Sequence, residues 1–395
     1  MNILFSYKNK LDPQLGGTER VASMIADYLS SCGHNVYYLI TSNFFREELN
    51  PPFYALSQDG TLQSRKQEVL SLCSELSINI VINESGIDDD VYLFEAKTLN
   101  AIGCNLITCV HFEVAADLIS YYKYFCFSLI DLSLVGIIRR LTKICISPIL
   151  ALKDYLKKRK RYKYLLLNSS YVIVPALQIE EQFESCFGAI TKRKVKTIPN
   201  PSSFCIKDMM KSNVAHKRNY MLYVGRLSTE KRVDKIIEAW RLVHEAFPDW
   251  ELRIVGDGHM RQELESKVHG ESIRNVHFMG RMSNLREEYE QAKYFLLTSD
   301  SESFSMVLLE ALSYGCYPII FDFPAAQQLM PLNSWGSRLE KHSARLLARE
   351  IRRCIIEKVN NENQRHDILN HLSKFDISIV GKSWDLLIAD IERAV

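Results

Sequence analysis

The chain has 395 residues, 47% of them hydrophobic and 24% charged, with a formal net charge of +2. That length allows two or three domains with cores of ordinary size, and the composition excludes a disordered chain. The small net charge conceals an uneven distribution. Between Arg139 and Lys163 there are ten Lys or Arg and one Asp, a local +9 that leaves −7 for the remainder. A charge concentration of this kind suits an anionic partner surface. Ten cysteines are spread along the chain without a Cys-x-x-Cys pair. This fits reduced thiols in the cytoplasm better than a disulfide or zinc framework. The N-terminus opens directly on a strand, with no basic n-region before an apolar stretch, so a signal peptide is not expected. The longest apolar stretch, Phe125 to Ile138, is broken by Asp131 and ended by Arg139 and Arg140. It is too short to span a bilayer.

Strand and helix signals alternate through both halves, the pattern of parallel α/β layers. Asn2 to Tyr7 reads as a strand, and Gly17 to Ser31 as an amphipathic helix that Gly33 can end in the left-handed region. Val36 to Thr41, Ile78 to Asn83, Asn105 to Val110, Tyr171 to Val174 and Val195 to Ile198 complete a first sheet. The Pro-, Ser- and Lys-rich stretch 199–219 lacks a periodic core signal and reads as a linker. A second series follows, with strands at Tyr220 to Gly225, Glu251 to Gly256, Val276 to Gly280, Tyr294 to Thr298 and Tyr317 to Phe321. A closing helix runs over about Ile377 to Ala394. The domains expected are therefore 1–198, with a basic and aromatic segment at 118–165, then the linker 199–219, 220–376, and the closing segment 377–395.

Four places carry chemistry. The loop Asp12 to Arg20 holds Gly16 and Gly17, which let the backbone approach a ligand, and Thr18 can begin the helix with its dipole aimed at that ligand. A plain strand-to-helix turn would use the same pair, and the third glycine of a dinucleotide fingerprint is missing here, as it is at Gly256-Asp-Gly258. His111 ends a strand, where a histidine can be structural or can face a cleft. Arg226 lies in the loop after the strand at Tyr220, and Lys231 is expected in the first turn of a helix over Lys231 to Phe247. A cation at a helix start is disfavoured unless an anion sits between them. Together they offer a forked donor and a mobile point charge, suited to a pyrophosphate, although solvated surface charges are the plainer alternative. Finally, Leu296 to Asp322 reads strand, polar loop, helix, Gly-Pro break, strand. It places Glu302 in a loop at the carboxyl end of a strand and Glu310 on the next helix. The amides of Phe304, Ser305, Met306 and Val307 are the expected first donors of that helix.

This last segment resembles the Glu-x7-Glu motif of retaining glycosyltransferases with the GT-B fold, in particular glycosyltransferase family 4 (glycosyl transferases group 1). The resemblance is strong from Tyr220 to Asp322, moderate at Gly16 to Arg20, where the Gly-Gly-Thr-Glu-Arg text is similar to a donor-phosphate loop, and weak from Leu118 to Lys163. It implies an α/β protein of two Rossmann-like domains facing across a cleft, with the last helix packed back onto the first domain. The implied reaction is retaining hexosyl transfer from a nucleoside-diphosphate sugar, UDP-sugar favoured, to a glycan or lipid-linked saccharide in surface polysaccharide biosynthesis. Glu302, His111, Arg226 and Lys231 would be catalytic. Donor binding would use Gly16, Gly17, Arg226, Lys231, Glu302, Phe304, Ser305, Met306, Val307 and Glu310, with the Glu310 carboxylate on the ribose hydroxyls. No metal or other cofactor is expected. The sequence departs from the family at Ser303 and Ser305, where many members have glycine, and this puts the donor sugar in doubt.

The segment 121–163 joins the aromatics Tyr121, Tyr122, Tyr124, Phe125 and Phe127 to the basic run Lys157 to Lys163. It suits an anionic membrane surface, and implies a cytoplasmic protein placed peripherally at the inner face. Nucleic acid is the less favoured partner for the basic run. Two other functional classes remain: an inactive nucleotide-binding scaffold of the same fold, or another GT-B enzyme such as a sugar-nucleotide epimerase or a phosphorylase.

Overall fold

The protein is described from a computed structural model. The structure describes all residues except 10, 14–15, 43–48, 58–59, 89–97, 101, 115–133, 207–208, 210–216, 341 and 395, and gives only the backbone for 134–148, 151 and 394. The aromatic residues Tyr121, Tyr122, Tyr124, Phe125 and Phe127 lie outside the described residues. The chain divides into two compact units, Met1–Pro199 with Gly381–Val395, and Asn200–Val380.

Unit 1 is built on β1 (Asn2–Tyr7), α1 (Gly17–Ser31), β2 (Asn35–Ile40), β3 (Phe53–Ala55), α2 (Leu62–Glu75), β4 (Ile80–Asn83), β5 (Asn105–Cys109), α3 (Leu134–Asn168), β6 (Tyr171–Val174), α4 (Leu177–Phe187) and β7 (Val195–Thr197). The strands form one parallel sheet in the order β3-β2-β1-β4-β5-β6-β7. Its central strands are Ile- and Val-rich runs buried on both faces, such as Ile3, Leu4 and Phe5 beside Ile80, Val81 and Ile82, as expected when helices cover both sides. Gly33 takes φ +90 behind α1, the left-handed stop expected there,.

Unit 2 contains β8 (Arg218–Val224), α5 (Val233–Arg241), β9 (Glu251–Val255), α6 (Arg261–Gly270), β10 (Val276–Gly280), α7 (Arg286–Gln291), β11 (Ala292–Leu297), α8 (Met306–Ser313), β12 (Tyr317–Phe321), α9 (Ala326–Leu329), β13 (Ser337–Leu339), α10 (Ala344–Ile356) and α11 (Arg365–Leu372). Its six-stranded parallel sheet runs β10-β9-β8-β11-β12-β13. The core packs Ile236, Ile237 and Trp240 of α5 with Leu347 and Ile351 of α10 onto Tyr223, Ile254 and Ile319 of the strands. The expected linker is partly built into this unit: the Ser202 amide donates to Phe375 O at 2.6 Å, and Ile206 is fully buried.

A last helix, α12 (Ile377–Ala394), contributes its residues from Gly381 onward to unit 1. A Cβ on Gly381 would stand 2.5 Å from the Tyr28 ring, so the helix lies against α1 there. Asp390 accepts a hydrogen bond from Tyr171, and Asp385 is 3.5 Å from His34.

Both sheets reverse their strand order once, between β1 and β4 in unit 1 and between β8 and β11 in unit 2. At such a point adjacent crossovers leave on opposite faces and a crevice opens at the carboxyl ends of the two strands, where open α/β sheets take ligands.

Candidate active site

In unit 2 the reversal point brings together the loops after β8 and β11. Gly225 and Arg226 follow β8, and Arg226 extends an exposed side chain. The loop is held from below by Tyr223, whose hydroxyl donates to Arg226 O at 3.0 Å. Burial, with Glu302 and Glu230 nearby, pushes the Tyr223 phenol well above its ordinary value, so it remains a donor. The β9 loop packs directly on this one. Gly256 has φ +135, and a Cβ there would lie 1.9 Å from Gly225 O. Only glycine fits that approach.

Lys231 is not in the first turn of a helix. A 3-10 turn, Thr229–Lys231, comes first, Arg232 then takes a left-handed conformation (φ 51, ψ 39), and α5 begins at Val233. The reversal at Arg232 is locked by its guanidinium on Asp234 and Asp300. It turns the Lys231 side chain toward the β11 loop, where its ammonium meets Glu302 Oε1 at 2.7 Å. Ser299 Oγ donates to the same oxygen at 2.7 Å. Two further bonds join the loops: Thr298 Oγ1 donates to Lys231 O at 3.1 Å, and the Asp300 amide donates to Glu230 O at 2.8 Å. The anion that offsets the Lys231 charge is thus Glu302, across the crevice from its own strand.

The expected donor set at the next helix is shifted. Phe304 and Ser305 precede α8, which begins at Met306. Phe304 is buried, its ring edge-on to Phe375 at 5.3 Å, so its side chain serves the core. Ser305 caps the helix from the left-handed region (φ 63, ψ 83), and its Oγ is buried without a partner. The first intrahelical bond runs from Leu309 N to Ser305 O at 3.3 Å. Met306, Val307 and Leu308 therefore carry amides without intrahelical acceptors. Glu310 is 3% exposed on α8. Its Oε1 accepts from Ser203 Oγ at 2.8 Å and its Oε2 from the Tyr289 hydroxyl at 2.9 Å. Tyr289 is itself stacked on Tyr314, with centroids 5.7 Å apart. Neither Ser203 nor Tyr289 was marked by the sequence, because each lies far along the chain from Glu310.

Unit 1 has its own cluster at the carboxyl ends of its strands. Gly16 caps α1 in an extended conformation, with Gly17 the first helical residue and Thr18 the second. Glu19 folds back over this start: a Cβ on Gly16 would be 2.5 Å from its Oε2, and Tyr7 donates to its Oε1 at 3.2 Å. An acid at this position complements the helix dipole, so any phosphate there competes with Glu19.

His111 stands just beyond β5, with its Nε2 2.7 Å from Glu84 Oε2. Glu84 follows β4 and is 2% exposed, and its Oε1 is buried without a hydrogen-bond partner. Cys109 completes a group whose ligand atoms lie within 4.8 Å of one another, the one cluster among the described residues that could hold a metal ion. Burial and the neighbouring Glu84 push the Cys109 thiol well above its ordinary value, so it is held protonated. A pocket of ≈ 140 Å³ opens here, lined by Glu84, Gly86, Asp88, Cys109, His111 and Tyr162. Glu84 was not singled out by the sequence, where Asn-Glu-Ser-Gly reads as an ordinary turn; its position directly after a buried strand was the available signal.

Residues 206–371 match the family model described as glycosyl transferases group 1. An α-1,4-N-acetyl-D-galactosaminyltransferase of Campylobacter jejuni, named for an undecaprenol-linked saccharide, is 29% identical over 243 residues, which are 60% of this chain and 66% of that protein. The amylovoran biosynthesis glycosyltransferase AmsD of Erwinia amylovora is 22% identical over 94% of this chain and 95% of its own length. Among solved structures, the pneumococcal O-GlcNAc transferase GtfA, in complex with UDP and GlcNAc, superposes with a TM-score of 0.70 at 15% identity, covering 99% of both chains. Two parallel α/β sheets of matching strand order and glycosyltransferase relatives along the length agree: the chain is a glycosyltransferase of the GT-B fold whose residues 206–371 are a glycosyl transferases group 1 domain.

Proposed function

We propose that this enzyme is a retaining hexosyltransferase of family 4, using a nucleoside-diphosphate sugar, UDP-sugar favoured, and a glycan or lipid-linked saccharide acceptor in surface polysaccharide biosynthesis. The observation that carries the reading is the Lys231–Glu302 pair, with Arg226 exposed in the same loop after β8, at the reversal point of the second sheet. On this reading the donor opens the pair. Lys231 and Arg226 take the diphosphate and stabilise the charge of the departing group, as preorganised cations do without reorganising at the moment of reaction. Glu302, released, accepts from sugar hydroxyls and favours positive charge at the anomeric carbon. Glu310 binds the ribose with its two carboxylate oxygens, each able to accept from a sugar hydroxyl while it still accepts from Ser203 or Tyr289,. The amides at the start of α8 face the phosphates. In unit 1, Gly16 and Gly17 approach the donor, and His111, oriented by Glu84, hydrogen-bonds the transferred sugar. The acceptor hydroxyl attacks from the face the diphosphate leaves, and the leaving group takes its proton.

The relatives named for a lipid-linked saccharide and for amylovoran biosynthesis support the acceptor class, and the UDP complex supports the nucleotide. The test is thermal melting against UDP, GDP, ADP and CMP, with Glu310→Ala alongside, followed by NMR of the anomeric configuration formed with the stabilising nucleotide's sugars. A shift with UDP that the variant loses, and an α product from an α donor, are expected. Inversion would overturn the retaining reading, and stabilisation by another nucleotide would overturn UDP.

A further inference from the structure

The C-terminal half of α3 presents two faces of opposite character. One is inside unit 1: Tyr162, Leu165 and Leu166 are buried, Tyr162 meets Phe183 edge-on at 5.6 Å, Arg161 donates to Ile87 O at 3.0 Å, and Arg159 lies over Phe187 at 5.4 Å. The other face is open. Ile149, Leu152 and Leu156 are 68%, 58% and 55% exposed, and Lys153, Lys160 and Lys163 are exposed among them. At about 100° per residue these six side chains fall within an arc of roughly 100°. Asp154 is the one acid between Ile149 and Asn168, and it is paired with Lys158 at 3.3 Å. The exposed face is thus an aliphatic stripe interleaved with lysines that have no acid partner among the described residues.

We infer that this face docks on the surface of an anionic lipid bilayer. The leucines and Ile149 enter the boundary between headgroups and acyl chains, while the lysines lay their stems along the same stripe and hold their ammonium groups among the lipid phosphates. Charge complementarity selects an anionic leaflet. The exposed aliphatic side chains select lipid over nucleic acid, because a phosphate backbone rewards the cations and leaves the leucines in water. The contact is peripheral: among the described residues no helix is long and apolar enough to cross a membrane. The inference goes beyond the transfer reaction, and its test needs neither donor nor acceptor.

The experiment is flotation of the full chain with vesicles of phosphatidylcholine, with and without phosphatidylglycerol, over a range of salt. Two variants run beside it, Lys153→Glu with Lys160→Glu, and Leu152→Ser with Leu156→Ser; all four positions are exposed, and melting temperatures check that both variants fold. Binding to the phosphatidylglycerol vesicles that weakens with salt is expected, with each pair of substitutions reducing it roughly tenfold or more. No binding to these vesicles would overturn the proposal. So would undiminished binding by the leucine variant, which would leave only diffuse charge attraction, or binding to single-stranded RNA without binding to vesicles.

Discussion

The Lys231 ammonium and the Glu302 carboxylate stand 2.7 Å apart although they come from loops of two different strands, β8 and β11. Each neutralises the other, and on the proposed reading the donor offers both a better partner. Lys231→Ala and Glu302→Gln should each lower kcat/KM by roughly 10²–10³-fold, the loss seen when a preorganised group facing developing charge is removed. The double variant should lose much less than the product of the two, since they act as a unit. Steady-state kinetics with the donor identified by melting would show this; strictly multiplicative losses would mean that the two residues work separately.

Tyr289 touches no ligand on the proposed reading, yet it fixes one oxygen of Glu310. Tyr289→Phe removes a hydrogen bond to a charged group, so the donor KM should rise roughly 10–100-fold with kcat nearly unchanged. The melting shift given by UDP should shrink in parallel. A fall in kcat at constant KM would instead place Tyr289 in the chemical step.

Glu84 is argued to hold the His111 ring in one orientation. Glu84→Gln keeps the shape and a hydrogen-bonding partner, and should reduce activity less than Glu84→Ala, which should cost roughly 10–100-fold. If the order were reversed, the carboxylate would be an electrostatic burden at this place and not a positioning group.

Ser305 combines a left-handed backbone with a buried hydroxyl that finds no partner. Ser305→Gly should stabilise unit 2 by about 1 kcal/mol or more: it relieves about 1–2 kcal/mol of left-handed strain and the unpartnered hydroxyl, against about 0.4–1 kcal/mol of added unfolded-chain entropy. Ser305→Val should destabilise. Chemical denaturation would report both. A glycine variant that unfolds earlier would show that the hydroxyl is satisfied after all.

His371 is half-buried between Trp335 and Phe375, with Nε2 2.8 Å from Gln328 O. Burial holds its pKa below the ordinary histidine value. The folded state therefore resists a proton that the unfolded chain accepts near pH 6.5, so stability is full above that pH and declines as the pH falls below it. His371→Gln should flatten the dependence between about pH 5 and 7. Melting temperatures as steep in the variant as in the parent would assign the effect elsewhere.

Buried apolar strands were readable directly: β1, β6 and β12 have the bounds their sequences suggest, because burial on both faces leaves an uninterrupted apolar run. The edge strands β3 and β13 were not readable. Each has three residues, and in β3 they follow Pro51 and Pro52, which read as a loop. The helix expected over Lys231 to Phe247 starts late because Arg232 adopts a left-handed conformation that depends on Asp300, 68 residues further on. The same holds for the candidate site. Glu302 and His111 could be singled out because they follow strong strand patterns, and Glu310 because it lies on the helix after such a strand. Ser203, Tyr289 and Glu84 act through the folded neighbourhood of those residues, and nothing within a few positions of each announces a partner.

The contact between Gly256 and Gly225 divides the crevice of unit 2 into a part that can change and a part that cannot. A side chain at Gly256 would collide with backbone, and one at Gly258 would come within 2.3 Å of Leu227 O. Substitution on that side breaks the fold before it alters the ligand. Ser303, in the β11 loop, bears a side chain already, so on the proposed reading new sugar preferences can arise there by single substitutions. Divergence among such enzymes should therefore be lopsided, with variation collecting along the β11 loop while the glycine wall stays frozen.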